Sequence, residues 1–244
     1  MRQQVLVPVL YLAQTRPTNI QPNSALIAGN NVQLISGGNL DNQGTLAAFD
    51  NLTIESAGSI TNSGISQAGR QLVATAQGSI INRNAGVIKG DSVDLTTVNG
   101  DIRNERQVVT SEWGTLEHGA ITTVIGEASR IEAARLNVQA DRDIINLGSR
   151  ISGDTIQLTA GRDLTAAAVT DRERVAYVYN HGSGSTDTIR QLASEIDADY
   201  DLTLNAGRDL AAVASTIESG GDATLKAGNN VNQLAPQTPV TENF

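Results

Sequence analysis

Apolar residues recur along this chain in a rhythm of about 20 positions. Each unit opens on an apolar-x-apolar pair: Val32/Leu34, Leu52/Ile54, Leu72/Ala74, Val93/Leu95, Leu136/Val138, Ile156/Leu158, Leu202/Leu204 and Ala223/Leu225. Alternation over so few residues predicts a short strand with one face buried. Eight positions later stands a second apolar residue: Leu40, Ile60, Ile80, Ile144, Leu164, Leu210 or Val231. Ile102 comes at nine, after the turn signal Asn99-Gly100. A third, less regular position holds Leu46, Ile65, Val87, Val108, Ile151, Val169 and Ile217.

Successive pairs lie 20, 20, 21, 43, 20, 46 and 21 residues apart, so the two long gaps are one period plus an insertion. Three short strands per period, punctuated by Gly and Asn, describe one turn of a solenoid. A leucine-rich repeat needs a denser Leu/Asn pattern, and a propeller blade needs about twice the length. The expected fold is therefore all-β, a right-handed parallel β-helix of about eight coils, roughly 40 Å long at one strand spacing per coil. Coils are expected over residues 24–109, 134–170 and 199–235, with a capping strand over 1–23 and a tail from 236 to 244. Pro236 and Pro239 cannot both continue a hydrogen-bonded ladder.

The insertions, residues 110–133 and 171–198, leave the same corner of the coil two coils apart, roughly 10 Å along the axis. In the first, two β-rich runs flank Glu117-His118-Gly119, which predicts a hairpin. The second runs Val175 to Tyr179, then Asn180-His181-Gly182-Ser183-Gly184-Ser185, then Thr186 to Ala193. The turn chemistry predicts a second hairpin. Ile189, Leu192, Ala193 and Ile196 also fit one helical face. The insertions hold Trp113, His118, Tyr177, Tyr179 and His181, which include the chain's one Trp and both His. Loops on a rigid scaffold carry binding residues, so these five are candidate partner-binding residues. The competing reading has the aromatics packing the hairpins onto the solenoid or onto each other.

Composition narrows the function classes. Aromatics make up 3% and Cys is absent, so a thin core of Leu, Ile, Val and Ala has to suffice, without disulfides or a Cys-based zinc site. The net charge of −9 comes without a basic cluster, which argues against nucleic-acid binding. No apolar run reaches the roughly 20 residues of a membrane-spanning helix. Val5 to Leu12 is short and interrupted by Pro8, more a first strand than a signal peptide.

Polar residues also fall in columns. Asn42, Asn62, Asn82, Asn104 and Asn146 each stand two positions after the second apolar residue. Stacked amides hydrogen-bond along a ladder, and Asn tolerates the left-handed backbone of a corner, so this column is expected to be structural. Asp101, Asp143, Asp163 and Asp209 precede the second apolar residue, and Arg142, Arg162 and Arg208 precede three of them. Interleaved opposite charges at a solvated corner offset the repulsion of stacked like charges. Glu195, Asp197, Asp199 and Asp201 alternate; a strand would align them on one face, able to hold a cation or simply to be solvated. No carboxylate pair, nucleophile-base set or phosphate loop completes a catalytic constellation. The chain is expected to be non-enzymatic and without cofactor, the rival class being a carbohydrate-active β-helix enzyme.

Leu204-Asn-Ala-Gly-Arg-Asp-Leu210, Ile156-Gln-Leu-Thr-Ala-Gly-Arg-Asp-Leu164 and Leu225-Lys-Ala-Gly-Asn-Asn-Val231 resemble the repeats of filamentous hemagglutinin-type exoproteins. The opening Gln4 to Ala13 resembles the lead-in to the second repeat region of contact-dependent growth inhibition effectors. The resemblance implies a large two-partner-secretion protein, secreted to the cell surface of a Gram-negative bacterium through an outer-membrane transporter. It implies either a segment that helps deliver a toxin across a target cell's outer membrane, or the shaft of an adhesin that attaches cells. The partners implied are the transporter and the target-cell outer membrane or a surface receptor, with no nucleic acid and no span across the membrane.

Overall fold

The computed structural model describes residues 25–115, 118–179 and 182–235, and these contain strands and turns without any helix. The expected 1–23 capping strand, the 236–244 tail and His181 lie outside the described residues. Two parallel sheets, of eleven and eight strands, form a β-helix, and a separate four-stranded antiparallel sheet stands apart from it.

The alternating pairs build the larger sheet. Val32, Leu52, Leu72, Val93, Leu136, Ile156, Leu202 and Ala223 are direct partners from coil to coil. The second apolar residues stack likewise as the eight-stranded sheet, from Leu40 through Ile60, Ile80, Ile102, Ile144, Leu164 and Leu210 to Val231. Leu52, Leu72, Val93, Leu95, Leu158, Leu164, Leu204 and Leu210 are wholly enclosed. Each such side chain contributes roughly 1.5–3 kcal/mol, which lets a core one residue thick hold without aromatic bulk.

The third column differs from expectation. Its inward residues are Leu46, Ser66, Ile88, Ile131, Ile151, Ile196 and Ile217, all in register. Ile65 and Val87, one position earlier, are only half-buried, while Ser66 and Ile88 are buried. A one-residue shift in a strand exchanges its faces. Ser66 takes an inward place because its hydroxyl joins the Asn file, donating to Asn62 Oδ1 at 3.0 Å.

Val108 and Val169 are not coil positions either. They open strands that leave the solenoid, Val108–Gly114 and Val169–Tyr179. Each turns back through an antiparallel partner, Gly119–Ile125 and Gly182–Leu192. The second insertion is therefore a hairpin as far as Leu192, and its last residues, Glu195–Ala198, are already a coil strand of the solenoid; the alternative helical face over Ile189, Leu192, Ala193 and Ile196 does not form. Gly119–Ile125 also pairs with Val169–Tyr179, so the two hairpins fuse into one sheet, hereafter the fin. The geometry explains the fusion. A hairpin is two strands wide, and insertions two coils apart are offset by the same ~9.6 Å. The second hairpin thus starts where the first ends.

The fin is tied down at its base. The coil between the two hairpins turns directly through Gly148, at φ +52°, and a Cβ there would approach Val169 Cγ2 to 2.7 Å. Arg106 Nε donates to the Gly148 carbonyl at 2.7 Å, and its Nη1 donates to the Gly126 carbonyl at 3.4 Å. One guanidinium so links the first hairpin's root to the turn beneath the second.

Candidate functional site

Direct partners in an antiparallel sheet share a face. By register, Trp113, Ala120 and Val175 form one row across the fin, and Val109 pairs with Val124 nearer the base on that face. Tyr177 lies two residues beyond Val175 and pairs with Gly184. This face is open: Trp113 is 61% exposed, Val124 64% and Tyr177 48%. A Cβ on Gly184 would come within 2.6 Å of the Tyr177 ring, so the ring covers the glycine and supplies the packing it lacks. The opposite face carries the Arg172–Asp187 ion pair at 2.7 Å. That contact lowers the Asp187 carboxyl below its usual range and raises the Arg172 guanidinium.

The five candidate partner-binding residues fare differently. Trp113 and His118 meet at the tip of the first hairpin, with ring centroids 6.0 Å apart and planes at 76°. The His118 backbone N–H donates to Thr115 Oγ1 at 3.1 Å, closing the turn. Tyr177 shares the Trp113 face, two strands away, roughly 10 Å across the sheet. Tyr179 ends its strand, its backbone opposite Gly182. The tip and one face thus bring Trp113, His118 and Tyr177 onto a single surface, which can offer flat apolar and aromatic contact area.

The Asn column is a hydrogen-bonded file inside the solenoid. Asn42, Asn62, Asn82 and Asn104 each donate from Nδ2 to the Oδ1 of the next member, ending on Asn146, at 2.8–2.9 Å. Each Nδ2 also donates to a backbone carbonyl of the following coil: Ile65, Val87, Arg130, Arg150 and Glu195 in turn. The left-handed backbone expected for them is absent. Among the described residues, the non-glycine positions with positive φ are Asn84, Ala85 and Ala214. The file sits in extended strands facing inward, where the amides satisfy carbonyls that water cannot reach.

The Asp column belongs to a longer stair. Asn39, Ser59, Ser79, Asp101, Asp143, Asp163 and Asp209 each accept, through a side-chain oxygen, the N–H of the equivalent residue one coil on, ending at Asn230 (2.9–3.3 Å). Arg162 clamps Asp143 through two bonds of 3.1 and 2.6 Å, and Arg208 clamps Asp163 in the same way. The Arg208 hydrogen bonds lower the Asp163 carboxyl below its usual range. The Ala-Gly-Arg-Asp phrase is thereby explained residue by residue. Ala160 and Ala206 are buried, and the Arg and Asp join neighbouring coils. The Gly admits the coil below, since a Cβ on Gly161 would stand 2.0 Å from the Asp141 carbonyl oxygen.

The acidic run from Glu195 to Asp201 does not gather on one strand face. Its strand ends at Ala198, and Arg150 takes both Glu195 (3.1 Å) and Asp197 (2.8 Å). Asp201 Oδ1 accepts the Asp222 N–H at 3.2 Å.

Comparison with known proteins agrees with this architecture. The Hemagglutinin repeat family matches residues 13–181 and again 175–243. Over 96% of its length the chain is 38% identical to the deoxyribonuclease CdiA of Dickeya dadantii (strain 3937). It is 35% identical over 97% of its length to the tRNA nuclease CdiA of Escherichia coli (strain STEC_O31), and 30% over 89% to the toxin CdiA of Yersinia pestis. It spans 7% of the length of each of these relatives. No solved structure matches. With the repeat matched along almost the whole chain and its coils stacked in register, the chain belongs to the hemagglutinin repeat family.

Proposed function

We propose that this chain is a non-catalytic filament segment of a large secreted surface exoprotein, serving in contact-dependent delivery of a toxin to neighbouring bacteria. The observation that carries this reading is the extent of the likeness: nearly the whole chain matches proteins named as toxins and nucleases, yet only a small part of each. The nuclease chemistry named for those relatives belongs, on this reading, to another part of the parent protein. The segment's work is mechanical. Coils locked by the amide file and the Asp-Arg stair hold a fixed reach, and the fin offers Trp113, His118 and Tyr177 as contact surface toward a target-cell receptor or outer membrane. An outer-membrane transporter would export the parent to the surface of a Gram-negative cell.

An adhesin shaft is the second reading, favoured by the hemagglutinin repeat itself. Replacing both hairpins in the parent protein by direct turns like that at Gly148 separates the two. Delivery predicts that inhibitor cells still attach to targets but cease to kill them. Adhesion predicts that attachment itself is lost. Unchanged killing and attachment would remove the fin from both accounts.

A further inference from the structure

The fin has two free edges, and they differ. The Gly182–Leu192 edge strand opens on Gly182 and Gly184, and its Asp187 and Arg190 are engaged in ion pairs with Arg172 and Asp171. The other edge strand, Val108–Gly114, is exposed at all seven residues. Its sequence, Val-Val-Thr-Ser-Glu-Trp-Gly, has neither Pro nor Lys and carries a single charge. Natural edge strands usually carry such guards against pairing with another chain.

The free hydrogen-bonding groups on this edge can be identified. Gly126 N–H donates to Gln107 and Thr115 N–H donates to His118. Antiparallel alternation then turns Val109, Ser111 and Trp113 toward the inner strand, and Val108, Thr110, Glu112 and Gly114 outward. We propose that this edge pairs antiparallel with the same edge of a second copy of the chain, about a twofold axis through Ser111, joining two fins into one continuous sheet.

The register follows from the sequence. Centred on Ser111, Val108 faces the partner's Gly114 and Thr110 faces its Glu112, so every outward group meets an outward group, giving about eight hydrogen bonds. Val109 faces the partner's Trp113 twice, an aromatic to β-branched pair of the kind that stabilises sheets. Shifting the centre to Glu112 would oppose two carboxylates directly. Shifting it to Thr110 would put Trp113 opposite Gln107, outside the strand. The contact is isologous, so it closes at two copies rather than growing. It uses the edge and leaves both fin faces open, and it is independent of the delivery reading.

The test is made on the 244-residue chain. Sedimentation equilibrium across the micromolar range is expected to show a species of twice the 25.6 kDa chain mass. Thr110→Pro removes only an outward N–H, so it is expected to abolish this species and leave the melting temperature unchanged. Ser185→Pro, at an outward position of the opposite edge, is expected to retain it. The chain lacks Cys, which allows a second measurement that does not need the proline variant to fold. Ser111 would face its own copy at a non-hydrogen-bonded pair, where Cα atoms approach to about 4.5 Å. Ser111→Cys is therefore expected to form a disulfide dimer at least tenfold faster than Ser185→Cys. A monomeric wild type, a dimer that survives a folded Thr110→Pro, or equal crosslinking of the two cysteine variants would overturn the proposal. Loss of the dimer in Ser185→Pro as well would overturn it in favour of head-to-tail pairing of unlike edges.

Discussion

Asn82 Nδ2 donates to Asn104 Oδ1 at 2.9 Å, from one coil to the next, with both side chains sealed from solvent. The same nitrogen serves the carbonyls of Gly86 and Arg130, and Asn82 Oδ1 accepts from Asn62. Asn82→Ala would leave several buried groups unpaired at once and is expected to cost about 2–4 kcal/mol. Asn42, at the end of the file and slightly exposed, has no amide below it among the described residues, so Asn42→Ala should cost less. Urea denaturation of the two variants checks this. Equal losses would mean that the file is not cooperative.

Gly161→Ala tests why the repeat phrase carries its glycine. The added Cβ would stand 2.0 Å from the Asp141 carbonyl oxygen, which is backbone and cannot swing away. The coil would have to separate from the one below, breaking the Gly161 N–H to Ala140 bond of 2.9 Å. A drop of several degrees in melting temperature is expected. At Gly37 a Cβ would meet nothing within 4 Å, and Gly37→Ala should be neutral or mildly stabilising through the unfolded chain. Matching behaviour of the two variants would contradict the close-approach account.

The Arg208–Asp163 clamp predicts an acid-dependent stability. Its guanidinium holds the Asp163 carboxyl below the ordinary value of 3.8. A lowered folded value means that the stabilisation is fully present above the unfolded value and is lost as pH falls through the folded one. Comparing wild type with Arg208→Met, the melting-temperature gap should be constant from about pH 7 to 5 and close as pH falls below about 4. A gap that persists undiminished at about pH 2 would show that Arg208 acts by packing rather than by charge.

Much of this was legible in the sequence, and the failures have physical causes. The first and second apolar columns were readable because residues of one chemical type recur at fixed spacing. The stair was read only where it is charged. Asn39, Ser59, Ser79 and Asn230 share its hydrogen-bonding role, but they differ in residue type, so composition hides what geometry conserves. The third column was misplaced at Ser66 because a serine looks outward-facing until the amide file that receives it is seen. Of the candidate contact residues, Trp113, His118 and Tyr177 were singled out by their concentration in the insertions, and what the fold adds is that they share one surface. The bond between the hairpins came from long-range pairing of Gly119–Ile125 with Val169–Tyr179, which no local pattern encodes. Its only trace in the sequence is that both insertions leave the same corner two coils apart.

Three serines at the turn before the third column allow a last, discriminating test. Ser129 Oγ donates to the Glu105 carbonyl at 2.9 Å, and Ser149 Oγ accepts the Ser129 N–H at 3.3 Å. Ser194, equally buried at the root of the second hairpin, has a hydroxyl with no hydrogen-bond partner among the described residues. Such a group costs about 1–3 kcal/mol of desolvation with no return. Ser194→Ala removes it while leaving the backbone bond from Thr216 N–H to the Ser194 carbonyl in place. The variant should be as stable as wild type or more so, whereas Ser129→Ala should lose about 1–2 kcal/mol by orphaning the Glu105 carbonyl. Urea midpoints for both variants decide the matter. A destabilised Ser194→Ala beside a neutral Ser129→Ala would reverse the assignment of which hydroxyl the turn depends on.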